Sequence, residues 1–155
     1  MEFDVRERWG RRPLWARWVL GVYLMGFLVG FGSHAADLAR GGIHAYAGFP
    51  QVPFQVFFVG LVVLDPLVAV MVALMRREGV WLAGPVMVVD VCANWWGNRH
   101  WLRDDPGQLV GLLPLTLFGV FVIASWLPLR RAVAKAPSGP SPERDSGEKG
   151  TFVSH

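Results

Sequence analysis

The chain is poor in three things. It has one cysteine, two lysines against thirteen arginines, and charged residues at only 17% of its 155 positions. A water-soluble domain usually carries about 25% charged residues, so the low charge argues against one. The single cysteine, Cys92, excludes a disulfide framework and any cysteine-based metal motif. It lies inside an apolar segment and reads as a small buried hydrophobe. Also missing are a nucleophile elbow, a phosphate-cradling loop and a zinc-protease helix. Enzyme assignment by motif therefore fails, and no catalytic residue, metal or cofactor is assigned. The arginine bias, with abundant Ala, Gly and Val, points to a GC-rich bacterial genome and hence a bacterial inner membrane.

What is present is hydrophobic: 53% of residues are apolar, and the mean hydropathy is positive. The formal charge is +3, yet the basic residues flank apolar blocks and form no patch with interleaved aromatics. Nucleic acid is thus not expected as a partner. Membrane lipids are.

A helix needs about 20 apolar residues to cross the hydrocarbon layer, and four segments qualify: about 14–32, 54–74, 80–96 and 109–129. Backbone polar groups in lipid must be satisfied within the segment, so each reads as a helix. The expected fold is all-α: a polytopic membrane protein with a four-helix transmembrane bundle over 14–135. A basic segment precedes it (1–13). Residues 136–155 turn to Pro, Ser, Gly and mixed charge, which cannot bury a core and read as a disordered tail. Residues 33–44 read as a solvated loop, and 48–53, with prolines at 50 and 53, as an interfacial bend. The basic start, the apolar run and Ser33-His34-Ala35 also fit the outline of a cleavable signal peptide, although the run is long for one.

Lys and Arg near span ends set orientation. Arg6, Arg8, Arg11, Arg12 and Arg17 precede the bundle, Arg76 and Arg77 form the 2–3 turn, and Arg130, Arg131 and Lys135 follow the last span. Only Arg40, Arg99 and Arg103 lie on the other side. Both termini are therefore expected in the cytoplasm, with the chain multi-pass in the cell membrane. Trp15, Trp18, Trp81 and Trp126 at one level, and Trp95, Trp96 and Trp101 at the other, fit interfacial belts.

Two carboxylates interrupt the spans, Asp65 and Asp90. A charge at the bilayer centre costs about 2.5–3.5 kcal/mol on insertion scales, which makes such residues functional candidates by default. They stand 12 and 13 residues either side of Arg77. At 1.5 Å per residue, both lie roughly 18–20 Å from the turn, at one depth. Asn94 lies one turn beyond Asp90 on the same face. Pro66 and Pro85 each remove a backbone hydrogen bond nearby. Asp65, Asp90 and Asn94 form the expected polar pocket, against the alternative that they hydrogen-bond neighbouring helices as structural glue. On the outer side, His34 and Asp37 share a helix face if the helix continues, but the spacing matches no metal motif. Asn98, Arg99, His100, Arg103, Asp104 and Asp105 make a polar cap at the other outer turn. Gly26 and Gly30 form a small-xxx-small pair that permits close helix approach inside the bundle.

The four-span plan, Asp37 after span one, and the run from Leu64-Asp65-Pro66 through Trp81 to Gly84-Pro85 resemble the EXPERA superfamily, which includes the emopamil-binding sterol isomerases. The resemblance covers the middle half of the chain. It implies acidic side chains facing a pocket for hydrophobic amines or sterols, with Asp37 and Asp65 near it. The connection after span one is shorter than the family's. Gly60 stands near the point where the family carries an acidic residue, so the resemblance extends to a pocket and not to isomerase chemistry.

Three functional classes follow. One is a membrane binding module holding an apolar or cationic small molecule at the polar pocket. The others are a small proton- or cation-coupled transporter, presumed a homo-oligomer because four short spans rarely enclose a pathway, and an accessory subunit of a membrane complex.

Overall fold

A computed structural model describes residues 2–49, 51–99, 102, 105, 107 and 109–134. The expected tail at 136–155 lies outside them, as do Pro50, His100, Trp101, Arg103, Asp104 and Lys135. The described residues are almost entirely helical: α1 (Glu2–Gly10), α2 (Leu14–Gly41), a 3-10 turn (Gly42–His44), α3 (Val52–Ala73), α4 (Arg77–Asn98) and α5 (Leu109–Ala134). No strand occurs among the described residues. Three helices, α2, α3 and α5, are long and apolar enough to cross a membrane. At 22 residues α4 matches α3 in length, but Arg77, Glu78, Asp90, Asn94 and Asn98 make it less apolar.

Helix α2 runs past the expected end at 32 and turns the loop reading of 33–44 into helix. Ala35, Ala36, Leu38 and Ala39 are strong helix formers, and no proline intervenes. The helix stops at Gly42, whose φ of 59° suits glycine, and the Gly42 N–H bonds back to the Leu38 carbonyl.

The link between α3 and α4 is unusually tight. Arg76 N–H reaches the Met71 carbonyl at 2.9 Å and Met75 N–H the Val72 carbonyl at 2.9 Å, the two bonds of a Schellman motif. The left-handed position is filled by Met75 rather than glycine, at φ 56°. Its side chain is buried, and that burial offsets the backbone cost.

Packing follows chain order: α2 lies along α3, α3 along α4 and α4 along α5, while α2 and α5 touch sparsely. The core runs through Leu20, Tyr23, Phe27, Phe58, Leu61, Val68, Val72, Val80 and Val122. On α4 the buried positions include Val80, Ala83, Gly84, Met87, Asp90, Ala93 and Gly97, a spacing of three or four that defines one face. Cys92, two residues past Asp90, points away from that face and is exposed. The expectation of a buried cysteine is therefore corrected.

Large apolar side chains stay exposed along the helices, among them Met25, Val29, Val63, Val70, Leu117 and Val120. A lipid-facing surface has this character.

Gly79 makes the α3–α4 approach possible. A Cβ there would lie 2.9 Å from the Met71 carbonyl carbon and 2.9 Å from the Val72 nitrogen, and backbone cannot move aside cheaply. Gly79→Ala should therefore lower stability by about 1–3 kcal/mol. Gly60→Ala, where a Cβ meets nothing within 4 Å, should leave it unchanged or raise it through helix propensity. Thermal midpoints in detergent check this, and equal midpoints for the two variants would contradict the close approach.

Candidate functional site

Asp90 is 8% exposed and Asp65 5% exposed, and both are buried within the helix packing. On α4 an amide at i+4 reaches back to the carboxylate one turn earlier. Asn94 Nδ2 donates to Asp90 Oδ1 at 2.9 Å and to the Asp90 carbonyl at 3.1 Å. Asn98 Nδ2 then donates to the Asn94 carbonyl at 2.8 Å. These bonds fix the Asp90 carboxyl and engage Oδ1, leaving Oδ2 for another group.

The sparse contact between α2 and α5 opens a cleft of about 790 Å³. Its α2 wall carries Gly21, Gly26 and Gly30 between Val22, Met25 and Val29. Across it, α5 supplies Leu112, Leu115 and Phe118. Asp90, Asn94 and His34 line the same cleft and give it its polar end. The volume lies within the range typical of small-molecule sites, about 300–1,000 Å³, and an apolar lining with a few convergent polar groups is their usual chemistry.

Asp65 sits elsewhere. Its Oδ2 lies 2.7 Å from where a Gly30 Cβ would stand, so the carboxyl occupies the space that glycine leaves and does not line the cleft. Gly26 admits the Phe118 ring of α5 in the same way. The small-xxx-small pair thus receives a carboxyl from α3 and a ring from α5, both inside the assembly.

The fourth expected residue, Asp37, belongs to a chain of hydrogen bonds at the far end of α2. Tyr46 Oη donates to Asp37 Oδ2 at 3.2 Å, and His34 Nδ1 meets the same Oη at 2.8 Å. The phenol has one proton, and giving it to the carboxylate requires His34 to donate from Nδ1. Asp37 also pairs with exposed Arg40 at 3.7 Å. The Tyr46 ring packs on Phe49 and Phe58, and His34 stacks on Phe58. Burial, then the charge of Asp37 and the hydrogen bond to it, then the charges of Asp90 and Asp65 push the Tyr46 phenol above its ordinary value. It stays a donor at any physiological pH. All three predicted aspartates thus lie within electrostatic reach of one hydroxyl.

Of the four residues expected, Asp90 and Asn94 are brought together on the cleft, Asp65 packs against Gly30, and Asp37 orients His34 through Tyr46. Sequence reasoning missed Tyr46 and missed His34 as a cleft residue. The only available signal was the i,i+3 spacing of His34 and Asp37. Among the described residues no cluster of His, Cys, Asp or Glu is arranged to hold a metal ion. The chain matches no protein-family model, no curated protein and no solved structure.

Tyr46→Phe deletes the shared hydroxyl and keeps the ring packing. Stability should fall by about 1–3 kcal/mol, the cost of leaving buried polar partners unpaired. Histidine NMR should show the His34 Nδ1 proton losing its protection. An unchanged His34 spectrum would mean that the Tyr46 contact does not set its tautomer.

Proposed function

We propose that this protein is a four-span bundle of the bacterial cell membrane, with both termini cytoplasmic, that binds an amphipathic small molecule in the cleft between α2 and α5. One observation carries the reading: a long cleft with apolar walls that ends on a fixed carboxyl, an amide and an imidazole. An apolar body would lie along Val22, Met25, Val29 and Phe118. A cationic or hydrogen-bonding head would meet Asp90 Oδ2, the Asn94 amide oxygen and His34 Nε2. Burying an unpaired carboxyl is costly, and a cationic head offsets that cost by pairing with it.

In this reading α4 is the fourth span. Its Asp90, Asn94 and Asn98 satisfy one another along one face, which lowers the cost of carrying them into lipid. The arginines of the α1 end set the orientation. The resemblance to the EXPERA superfamily agrees with a pocket for hydrophobic amines but implies Asp37 and Asp65 beside it, whereas here Asp90 lines the cleft. Asp65, against Gly30, holds α2 to α3.

The test is binding of an undecylamine carrying a dansyl group at the far end of its chain, to purified protein in detergent. Asp90→Asn should weaken binding at least tenfold, about 1.4 kcal/mol or more, as expected for losing a charged hydrogen-bond partner. Val29→Trp should block the cleft and abolish binding, while Asp65→Asn should bind as wild type. Wild-type binding by both Asp90→Asn and Val29→Trp would refute the site.

A further inference from the structure

A second site lies at the opposite end of the molecule. Helix α1 folds back beneath the helix ends and is pinned there, with the Trp9 indole N–H donating to the Ala73 carbonyl at 3.0 Å. Just beyond it, Arg12 donates to the Ala132 carbonyl at 2.7 Å. Both carbonyls lie in the last turn of their helices, α3 and α5, where intrahelical partners run out. This pinning leaves a groove of about 740 Å³ lined by Val5, Arg6, Trp9, Arg17, Ala73 and Leu74.

The groove is amphipathic by construction. Arg6 and Arg17 are both exposed, and neither is in an ion pair among the described residues. The neighbouring Arg76 and Arg77, by contrast, are in contact with Glu78. Arg17 stands one turn into an apolar helix that also exposes Trp15 and Trp18, the residues that settle at headgroup depth. Leu74, 41% exposed, offers an apolar surface beside the two guanidiniums. Two cations and an indole at the interface, with an apolar wall below, match a phosphodiester headgroup joined to an acyl chain. Guanidinium is the side chain that recognises phosphate oxygens in bidentate fashion.

We propose that the groove between α1 and the last turn of α3 is a binding site for an anionic phospholipid, with Arg6 and Arg17 on the phosphate and Leu74 against the upper acyl chain. The site is independent of the α2–α5 cleft. Its occupant would cement α1 to the membrane-spanning helices.

Native mass spectrometry of the full chain in detergent, titrated with dioleoylphosphatidylglycerol or dioleoylphosphatidylcholine, tests this. Wild type should take up one phosphatidylglycerol on the order of tenfold more tightly than phosphatidylcholine, the scale expected for two arginines near a charged headgroup. The double variant R6Q/R17Q should lose that preference, and R40Q, at the far end of α2, should keep it. Excess inorganic phosphate should not displace the lipid. Equal uptake of both lipids by wild type, an undiminished preference in R6Q/R17Q, loss of the preference in R40Q, or displacement by phosphate would each overturn the proposal.

Discussion

A carboxyl surrounded by hydrocarbon must find its partners on its own helix or on the helix beside it, because no water will supply them. Asp65 and Asp90 meet this constraint in two different ways, and the difference organises the molecule. Asp90 is met from its own helix by Asn94, one turn on. That solution needs no neighbour, so it leaves one side of the carboxyl facing a gap. Asp65 is given room rather than a partner: α2 presents Gly30, and the missing side chain leaves space for the carboxyl at the α2–α3 contact. One acid therefore sits in the seam between two helices, and the other lines a cleft.

The cleft itself follows from where the small residues fall. Gly21, Gly26 and Gly30 all lie along the cleft wall of α2. Two of them are filled from neighbours, by Phe118 and by Asp65, while a Cβ at Gly21 would meet nothing within 4 Å. Helices α2 and α5 are tied elsewhere, with Tyr23 Oη donating to the Val122 carbonyl at 2.8 Å and Tyr23 edge-on to Phe121. A polar tie inside an apolar seam fixes rotation as well as distance, because the hydroxyl must meet a particular carbonyl. With the rotation fixed, the glycine face of α2 remains turned toward the gap.

Much of this was legible in the residues, and the illegible parts share a cause. Helix positions followed from apolar run length, and the Asp90–Asn94 bond from i,i+4 spacing alone, since both are properties of a single helix. The extension of α2 to Gly41 was readable from its alanines, yet the polar residues of 33–44 outweighed them. Tyr46 was not legible. Its partners are 9 and 12 residues away, and they meet only because the chain reverses after Gly42 and Phe49 packs against Gly97 of α4. Which aspartate lines a cavity was likewise hidden, because depth can be counted along a chain whereas helix rotation is decided by neighbours. Cys92 shows the same limit: an apolar stretch does not say which of its residues face inward.

The two ends of the molecule answer one electrostatic asymmetry with opposite means. At the α1 end, α3 and α5 terminate, and their unpaired carbonyls carry the negative pole of each helix. Trp9 and Arg12 donate to those carbonyls, and Arg130 lies against the Trp81 and Trp126 rings at 3.2 and 4.5 Å from their centroids. Cations and N–H donors at helix C-termini are favoured by that dipole. The arginines that would hold this end on the cytoplasmic side thus also close its helices. At the other end α2 terminates, and its last turns are occupied by an aspartate, a histidine and a tyrosine bonded to one another. Trp9 and Arg12 stabilise one end by donating to backbone carbonyls; side chains satisfying side chains stabilise the other. The second arrangement lies beside the cleft, whose lining includes His34.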